Sequence, residues 1–309
     1  MNWIKPPALR PGDTIGIVAP ASNIKMDLLE QGCRELERLG FRTRFQPDIG
    51  STFRYFAGSL ERRRSEFLDA VRDPDVKAIF CARGGYGSSH LIPNLDSNLF
   101  RANPKIICGA SDITSVLGTM QNAGVVCFHG PMVATTIRQG PEGYDVSLLL
   151  DLLQDGKEVR FPTEATRTLR TGAAEGRLTG GCLSLVVAGL GTPAEIDTSD
   201  SILVVEDIDA KPYQIDRMMT QLRQAGKLNG VRGIVFGEML SCLQHPDQGY
   251  TLEEVLLDLL EDFSGPILFG FPTGHTSKPN VIVPFGIRAR LELGTTPVFQ
   301  LLEPAVSNS

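Results

Sequence analysis

The fold is decided by a passage from strand to helix that reads KIICGASDITSVLGTM over residues 105–120. Its first half is a short apolar run that ends at Gly109, which is typical of a buried strand. Its second half places Val116, Leu117 and Met120 at helical spacing. Outward from this passage, the first half of the chain repeats the alternation of strand and helix. Such alternation predicts a parallel, doubly wound sheet with helices on both faces.

Apolar runs and helical periods predict the elements of this first half. The predicted strands span 14–20, 41–45, 76–81, 105–109 and 125–128. The predicted helices before the central passage span 25–39, which Gly40 ends, and 59–72, with Ser59 as N-cap. Three consecutive arginines, Arg62 to Arg64, lie on the second of these helices, and we interpret them as a solvated face.

The chain changes character after residue 154. A polar, threonine-rich stretch follows without a clear period, and we interpret it as an interdomain link. Shorter strands and fewer helices come after it, which indicates a mixed, β-rich second unit. The fold class is therefore α/β, with an N-terminal domain over 1–155, a linker over 156–175 and a C-terminal mixed α/β domain over 176–309.

Composition excludes several classes of partner. The chain has 309 residues, with 30 basic against 36 acidic side chains and a net charge of −6. Nucleic acid and anionic membranes call for a basic surface, so neither is an expected partner. No apolar run approaches the ~20 residues of a spanning helix, and the first residues lack the pattern of a secretory signal. We therefore expect a soluble cytoplasmic protein that has a neutral or cationic small partner, or an enzyme.

Cysteine and histidine spacing gives no sign of a metal site. The six cysteines are scattered without a CxxC pair, so we expect buried free thiols. Cys242 and His245 could supply two ligands, but no second pair follows them. We expect neither a metal nor a cofactor.

Ligands in open α/β sheets bind at the carboxyl ends of strands, and four polar clusters lie there. The first is the sequence ARGGYG at residues 82–87. Its glycines let backbone N–H groups approach a ligand closely. It can form a cradle for an oxyanion or a carboxylate, or only a tight turn. A phosphate P-loop is excluded because the GxxxxGK(S/T) pattern is absent.

The second cluster is the junction GASDIT at residues 109–114. Ser111 stands between strand and helix, as in a nucleophile elbow, where the hydroxyl is exposed at the positive end of a helix. The alternative is that Ser111 only caps the helix. The GxSxG pattern of the hydrolase elbow is not met, because Ile113 stands where its second glycine belongs.

The remaining two clusters carry an acid and a base. Glu206 opens the acidic sequence EDID at 206–209, and one carboxylate there could orient a histidine. His275 lies in the turn-rich sequence GFPTGHT at 270–276 and is the best-placed general base; His129 is the alternative. With the serine and the glycine loop, these are the parts needed for acyl transfer through a covalent ester.

At this point the chain resembles the LD-carboxypeptidase family, also called muramoyltetrapeptide carboxypeptidases, which includes the microcin C immunity peptidases. The resemblance runs nearly end to end and lies in the order and spacing of short motifs. These are Pro11-Gly12-Asp13, Val18-Ala19-Pro20-Ala21-Ser22, Ala82-Arg83-Gly84-Gly85-Tyr86-Gly87, Gly109-Ala110-Ser111-Asp112-Ile113-Thr114, Phe128-His129-Gly130-Pro131, Glu206-Asp207-Ile208, Tyr213-Gln214-Ile215-Asp216-Arg217, Gly274-His275 and Pro284-Phe285-Gly286. Ala110 departs from the aromatic residue usual before the family's serine.

The resemblance implies a serine peptidase. Ser111 would be the nucleophile, His275 the base and Glu206 the group that orients the base. The first of these lies in the N-terminal domain and the other two lie in the C-terminal domain. The site would then form in the cleft between the domains, and their relative position would govern activity.

The resemblance also implies the reaction and its other groups. The N–H of Asp112, with that of Gly84 or Gly85, would form the oxyanion hole. The enzyme would remove a terminal D-alanine from a muropeptide tetrapeptide during peptidoglycan recycling. Arg83 is the candidate for binding the substrate carboxylate, although it could instead pair with Asp112. We further expect a homodimer.

Three other functions share part of this pattern. An α/β-hydrolase esterase shares the serine, acid, histidine order but calls for the missing GxSxG. A two-domain solute-binding protein would also use a glycine-rich loop. A microcin C immunity-type peptidase would cleave an aminoacyl nucleotide, whose base calls for an aromatic platform. The single tryptophan, Trp3, is far in sequence from every cluster. Tyr86 and Tyr213 lie in motifs of the whole family, so they do not distinguish the two substrates. Without a distinctive aromatic platform, the muropeptide is the expected substrate.

Overall fold

The computed structural model describes residues 3–154, 159–244 and 246–308. Within them the strands are β1 (Thr14–Val18), β2 (Arg42–Arg44), β3 (Val76–Cys81), β4 (Ile106–Gly109), β5 (Cys127–His129), β6 (Arg167–Arg170), β7 (Gly172–Cys182), β8 (Ser201–Glu206), β9 (Val231–Gly237), β10 (Ile267–Phe271), β11 (Val283–Phe285), β12 (Arg288–Leu293) and β13 (Val298–Leu301). The α-helices are α1 (Met26–Arg38), α2 (Leu60–Arg72), α3 (Ser97–Ala102), α4 (Thr114–Asn122), α5 (Val146–Gln154), α6 (Leu183–Ala188), α7 (Pro212–Gln224) and α8 (Leu252–Leu259).

The first sheet has the strand order β11-β5-β4-β3-β1-β2. Its strands β1 to β5 pair in parallel, as predicted from the alternation of strand and helix. The side chain of Ser59 accepts a hydrogen bond from the Arg62 N–H, so the predicted N-cap of α2 is confirmed. The remaining strand, β11, comes from far along the chain and pairs antiparallel with β5.

The second sheet has the order β13-β12-β7-β8-β9-β10-β6. Strands β7 to β10 are parallel, whereas β6, β12 and β13 pair antiparallel, so the predicted mixed second unit is confirmed. The predicted link differs from the structure. Residues 167–170 form β6, and residues 172–175 begin β7. The residue limits of the two domains stay a prediction.

The solvated role predicted for the three arginines is wrong for Arg63. Its side chain is only 1% exposed. Its Nη1 donates to the carbonyl oxygens of Pro20 and Gly87, each at 2.8 Å, and its guanidinium lies over the Phe56 ring. A buried arginine needs such acceptors. Arg63 therefore joins the end of β1 to the glycine loop.

The core links the two sheets. One hydrophobic cluster combines the first sheet with β7 to β10 of the second, and another lies under α6, α7 and α8. All six cysteines are buried free thiols, as expected. No helix among the described residues is long and apolar enough to cross a membrane.

Candidate active site

Ser111 stands on a sharp turn between β4 and α4. Its φ is +59°, in the left-handed region that side chains other than glycine rarely adopt. The position before the short 3-10 turn at Ser111–Ile113 is held by Ala110, whose side chain makes no capping hydrogen bond. Ser111 therefore has the geometry of an elbow and not of a helix cap.

The glycine loop lies directly against this elbow. A Cβ at Gly84 would stand 2.8 Å from the Ser111 Cβ, 3.1 Å from its Oγ and 3.2 Å from the Asp112 nitrogen. Only glycine allows the backbone to come this close. Gly85 has a φ of +101°, and its Cβ would stand 2.3 Å from the Ser22 Oγ. The loop therefore adjoins both the hydroxyl and the Asp112 N–H.

Hydrogen bonds from Ser88 fix Asp112, which follows the serine. The Ser88 N–H donates to the Asp112 carboxylate at 2.7 Å, and the Ser88 hydroxyl donates to the Asp112 carbonyl at 2.5 Å. Burial raises the pKa of the Asp112 carboxyl, and these bonds oppose the rise. Arg83 instead donates to the Asn23 carbonyl at 3.3 Å, so the predicted alternative of an Arg83–Asp112 pair is not what the structure shows.

Glu206 and His275 form a tight pair on the second sheet. Glu206 ends β8 and is fully buried. Its Oε2 lies 2.8 Å from the His275 Nδ1 and also accepts the His275 backbone N–H at 2.8 Å. One carboxylate oxygen thus sets both the position of the loop and the orientation of the ring. This is the arrangement by which an acid orients a histidine base.

Glu206 and His275 also shift each other's pKa. Burial by itself would lower the pKa of His275, but the hydrogen bond and charge of Glu206 outweigh it, so that pKa lies above its ordinary value. Burial would likewise raise the pKa of Glu206, but His275 outweighs it, and this pKa lies below its ordinary value. Glu206 is therefore an anion that favours a proton on His275.

Three further residues hold the histidine loop, and sequence reasoning missed their role. Gly274 has a φ of +68°, and a Cβ there would stand 2.2 Å from the Glu206 carboxyl carbon. Asn280 Nδ2 donates to the Gly274 carbonyl at 2.5 Å. Glu238 accepts the Thr276 hydroxyl at 2.6 Å and the Ser277 N–H at 2.8 Å. In the sequence, the position of Glu238 directly after β9 could have indicated this role.

A hydrogen bond between Thr114 and Cys182 joins the Ser111 side of the site to the second sheet. Thr114 begins α4, three residues after the nucleophile, and its Oγ1 accepts the Cys182 N–H at 3.0 Å. Cys182 is the register partner of Glu206 in the pairing of β7 with β8. This contact places the start of the helix that follows Ser111 beside the end of β7, next to Glu206 in β8, although no hydrogen bond joins Ser111 to His275 in the described part of the chain.

The alternative base, His129, is fully buried and cannot touch a substrate. Its ring stacks on Phe285 with centroids 5.6 Å apart. Its Nε2 lies 3.7 Å from the Glu206 Oε1. Of the two histidines, the partly exposed His275 is therefore the better-placed candidate for a general base.

One group of side chains could hold a metal ion. The ligand atoms of Cys182, Glu206 and His275 all lie within 4.8 Å of one another. Burial raises the pKa of the Cys182 thiol well above its ordinary value, which disfavours the thiolate that a metal needs. Cys242 is buried, and His245 lies outside the described residues. The hydrogen-bonded acid and base fit the group better than a metal site does.

Comparison with known proteins agrees with this architecture. The LD-carboxypeptidase N-terminal domain matches residues 15–130, and the LD-carboxypeptidase C-terminal domain matches residues 175–291. A probable murein peptide carboxypeptidase of Bacillus subtilis is 38% identical, over 98% of this chain and 95% of its own. The Microcin C7 self-immunity protein MccF of Escherichia coli is 29% identical, over 91% of each chain. The crystal structure of a muramoyltetrapeptide carboxypeptidase from Oxalobacter formigenes superposes with a TM-score of 0.83 at 28% identity, over 93% of this chain and 98% of that one. The chain belongs to the LD-carboxypeptidase family.

Proposed function

We propose that this carboxypeptidase is a serine enzyme that removes the terminal D-alanine from muropeptide tetrapeptides during peptidoglycan recycling in the cytoplasm, as a homodimer. The observation that carries the serine mechanism is the link, through Thr114 and Cys182, between the turn of Ser111 and the strand of Glu206. Ser111 is held on a strained turn against Gly84, and His275 is held at 2.8 Å from a buried carboxylate. Family membership favours this function over the esterase and solute-binding alternatives.

The reaction follows from the roles of these groups. Ser111 Oγ attacks the carbonyl carbon of the scissile amide, and its proton passes to the His275 Nε2. Glu206 holds the Nδ1–H and stabilises the positive ring. The developing oxyanion faces the N–H of Asp112 and that of Gly84 or Gly85. The C–N bond then breaks, His275 gives its proton to the D-alanine amine, and water hydrolyses the ester.

Arg83 is the proposed group for the free carboxylate of the substrate. It is half-buried, and its Nη2 would lie 3.6 Å from a Cβ at Gly85. The guanidinium therefore borders the proposed oxyanion hole. Its charge and paired donors suit a carboxylate.

The test is release of D-alanine, followed by mass spectrometry, from a UDP-linked tetrapeptide that ends in D-alanine. We expect release from this substrate and none from the isomer that ends in L-alanine. Equal cleavage of both isomers, or of neither at any enzyme concentration, would refute the proposed specificity.

A second candidate substrate is an aminoacyl nucleotide, and exposed aromatic rings beside the glycine loop favour it. Phe53, Tyr55 and Tyr86 are 52%, 54% and 48% exposed, and the rings of Tyr55 and Tyr86 lie 5.9 Å apart. Tyr86 is two residues from Gly84. Stacking on such rings contributes ~1–3 kcal/mol per base. Cleavage of a processed microcin analogue, but not of the tetrapeptide, would establish this substrate instead.

A further inference from the structure

Behind the proposed triad, three buried polar atoms have no hydrogen-bond partner among the described residues. They are the Glu206 Oε1 and both ring nitrogens of His129. Buried polar atoms are nearly always paired, because burial removes the water that would otherwise bind them. Their occurrence side by side, at the centre of the site, calls for an explanation.

Only a narrow gap separates the Glu206 Oε1 from the nearer ring nitrogen of His129. The His129 Nε2 lies 3.7 Å from the Glu206 Oε1. An N–H···O hydrogen bond has a usual length of about 2.9 Å, so an approach of about 0.8 Å would form one. The Glu206 Oε2 is already occupied by His275. The free oxygen of the carboxylate therefore faces a nitrogen just outside bonding distance.

The two partners belong to different sheets. His129 ends β5 and pairs with Gly109, two residues before the nucleophile. Glu206 ends β8 and carries His275 through its hydrogen bonds. Strand β5 pairs with β4, which leads into Ser111, so a shift of β5 towards β8 would involve both strands. Neither the His129–Glu206 pair nor the Ser111–His275 pair is hydrogen-bonded in the described part of the chain, although the Cys182 N–H already bonds the Thr114 Oγ1 between the two sheets.

We propose that His129 is a positioning residue, whose Nε2–H donates to the Glu206 Oε1 once a local shift of about 0.8 Å brings the two atoms to bonding distance. This inference rests on the proposed triad. With both oxygens held, the carboxylate cannot turn away from His275 while the ring takes and returns the proton. Stacking on Phe285 fixes the plane of the His129 ring for this contact.

The protonation state of His129 agrees with a donor role. Burial lowers its pKa to about 4, although the charge of Glu206 opposes the shift. The ring is therefore neutral at neutral pH and carries a single N–H. A neutral donor strengthens the carboxylate's hold on His275 without cancelling its charge.

Two substitutions separate donation from packing. H129F keeps an aromatic ring against Phe285 but removes the donor, whereas H129Q keeps an N–H near the place of Nε2. We expect H129F to lower kcat about 10-fold to 100-fold, with KM changed less than about 3-fold, as is typical when a supporting hydrogen bond is lost. H129Q should recover most of that loss.

Equal losses in H129F and H129Q, or wild-type kcat in a folded H129F, would overturn the proposal. Failure of the triad itself would show separately, as activity retained in S111A. If H129F does not fold, nitrogen NMR of the wild-type histidines gives the answer. Binding of a phosphonate analogue of the tetrapeptide should produce a slowly exchanging Nε2–H signal from His129. A proton found on Nδ1 instead would also overturn it.

Discussion

The two sides of the site are held in place by different means. On the nucleophile side, backbone geometry does the holding, through the φ of +59° at Ser111 and the close approach of Gly84. On the base side, hydrogen bonds hold the loop of His275 in place, and Glu206 and Glu238 are the acceptors. Backbone geometry does not depend on protonation, whereas the second arrangement depends on carboxylate charge. The two sides should therefore respond differently to substitution and to pH.

Removal of the nucleophile should have the largest effect. We expect S111A to lower kcat by about 10³-fold or more with folding intact, because the variant lacks the hydroxyl that forms the ester in the proposed mechanism. H275A should cost about as much, and the double variant little more, since the triad acts as a unit. S115A, a buried serine on the same helix, is the matched control and should keep kcat within a few-fold. Measurable burst kinetics in S111A would contradict the assignment.

Substitution of the acid should cost less and change the pH profile. E206Q keeps the shape of the side chain, so some catalysis by a poorly oriented His275 should remain. As a base, His275 must be unprotonated, and Glu206 raises its pKa, so wild-type activity rises through a pH above the ordinary histidine value of about 6.5. E206Q removes the charge that raises this pKa, and the acidic limb of kcat/KM should move to lower pH.

An acidic limb that stays in place in E206Q would show that Glu206 does not set the protonation of His275. Asp207 would then be tested next. Its carboxylate accepts the Ser184 and Ile208 N–H groups, each at 2.8 Å, which points to a structural role. We therefore expect D207N to affect stability more than the pH profile.

Two glycines with the same backbone angle test the base side by geometry alone. Gly274 and Gly249 have φ values of +68° and +69°, so alanine brings similar strain, of about 1–2 kcal/mol, at both. Only at Gly274 would the new Cβ meet the Glu206 carboxyl group; at Gly249 nothing lies within 4 Å. We expect G274A to lower kcat about 10-fold or more and G249A to leave it unchanged. Equal kcat in the two folded variants would show that the loop can move without harm.

The nucleophile side could be predicted from sequence because its signals are local. The apolar run, the helical spacing and the serine all lie within residues 105–120, and the neighbouring glycine loop follows a strand of the same sheet. Parallel strands bring such loops to one edge. The pattern placed Ser111 and Gly84 at that edge but left two interpretations for each, an elbow or a helix cap for the serine and a cradle or a tight turn for the glycine loop; the structure shows the elbow.

The base side and the second sheet were harder to predict because their contacts are distant in sequence. The carboxylate of Glu206 in β8 is held by the loop after β10, and no local period relates these two segments. Strand β6 lies at the sheet edge and β7 begins exposed, so neither shows an apolar signal within the predicted link. The burial of Arg63 likewise depends on carbonyl acceptors far along the chain.

The smallest expected effect is that of metal removal, and it tests whether the base side is an acid–base pair at all. Cys182, Glu206 and His275 are close enough to share an ion, and all three lie on the second-sheet side. A metal there would take the Nδ1 and carboxylate atoms that now bond each other, and it would need the Cys182 thiolate that burial disfavours. We expect dialysis against EDTA to leave kcat and KM unchanged, and C182A to keep most activity. Activity that is lost with EDTA, restored by Zn²⁺ and abolished in C182A would replace the triad with a metal centre, and the difference between the two sides would then be one of ligand chemistry.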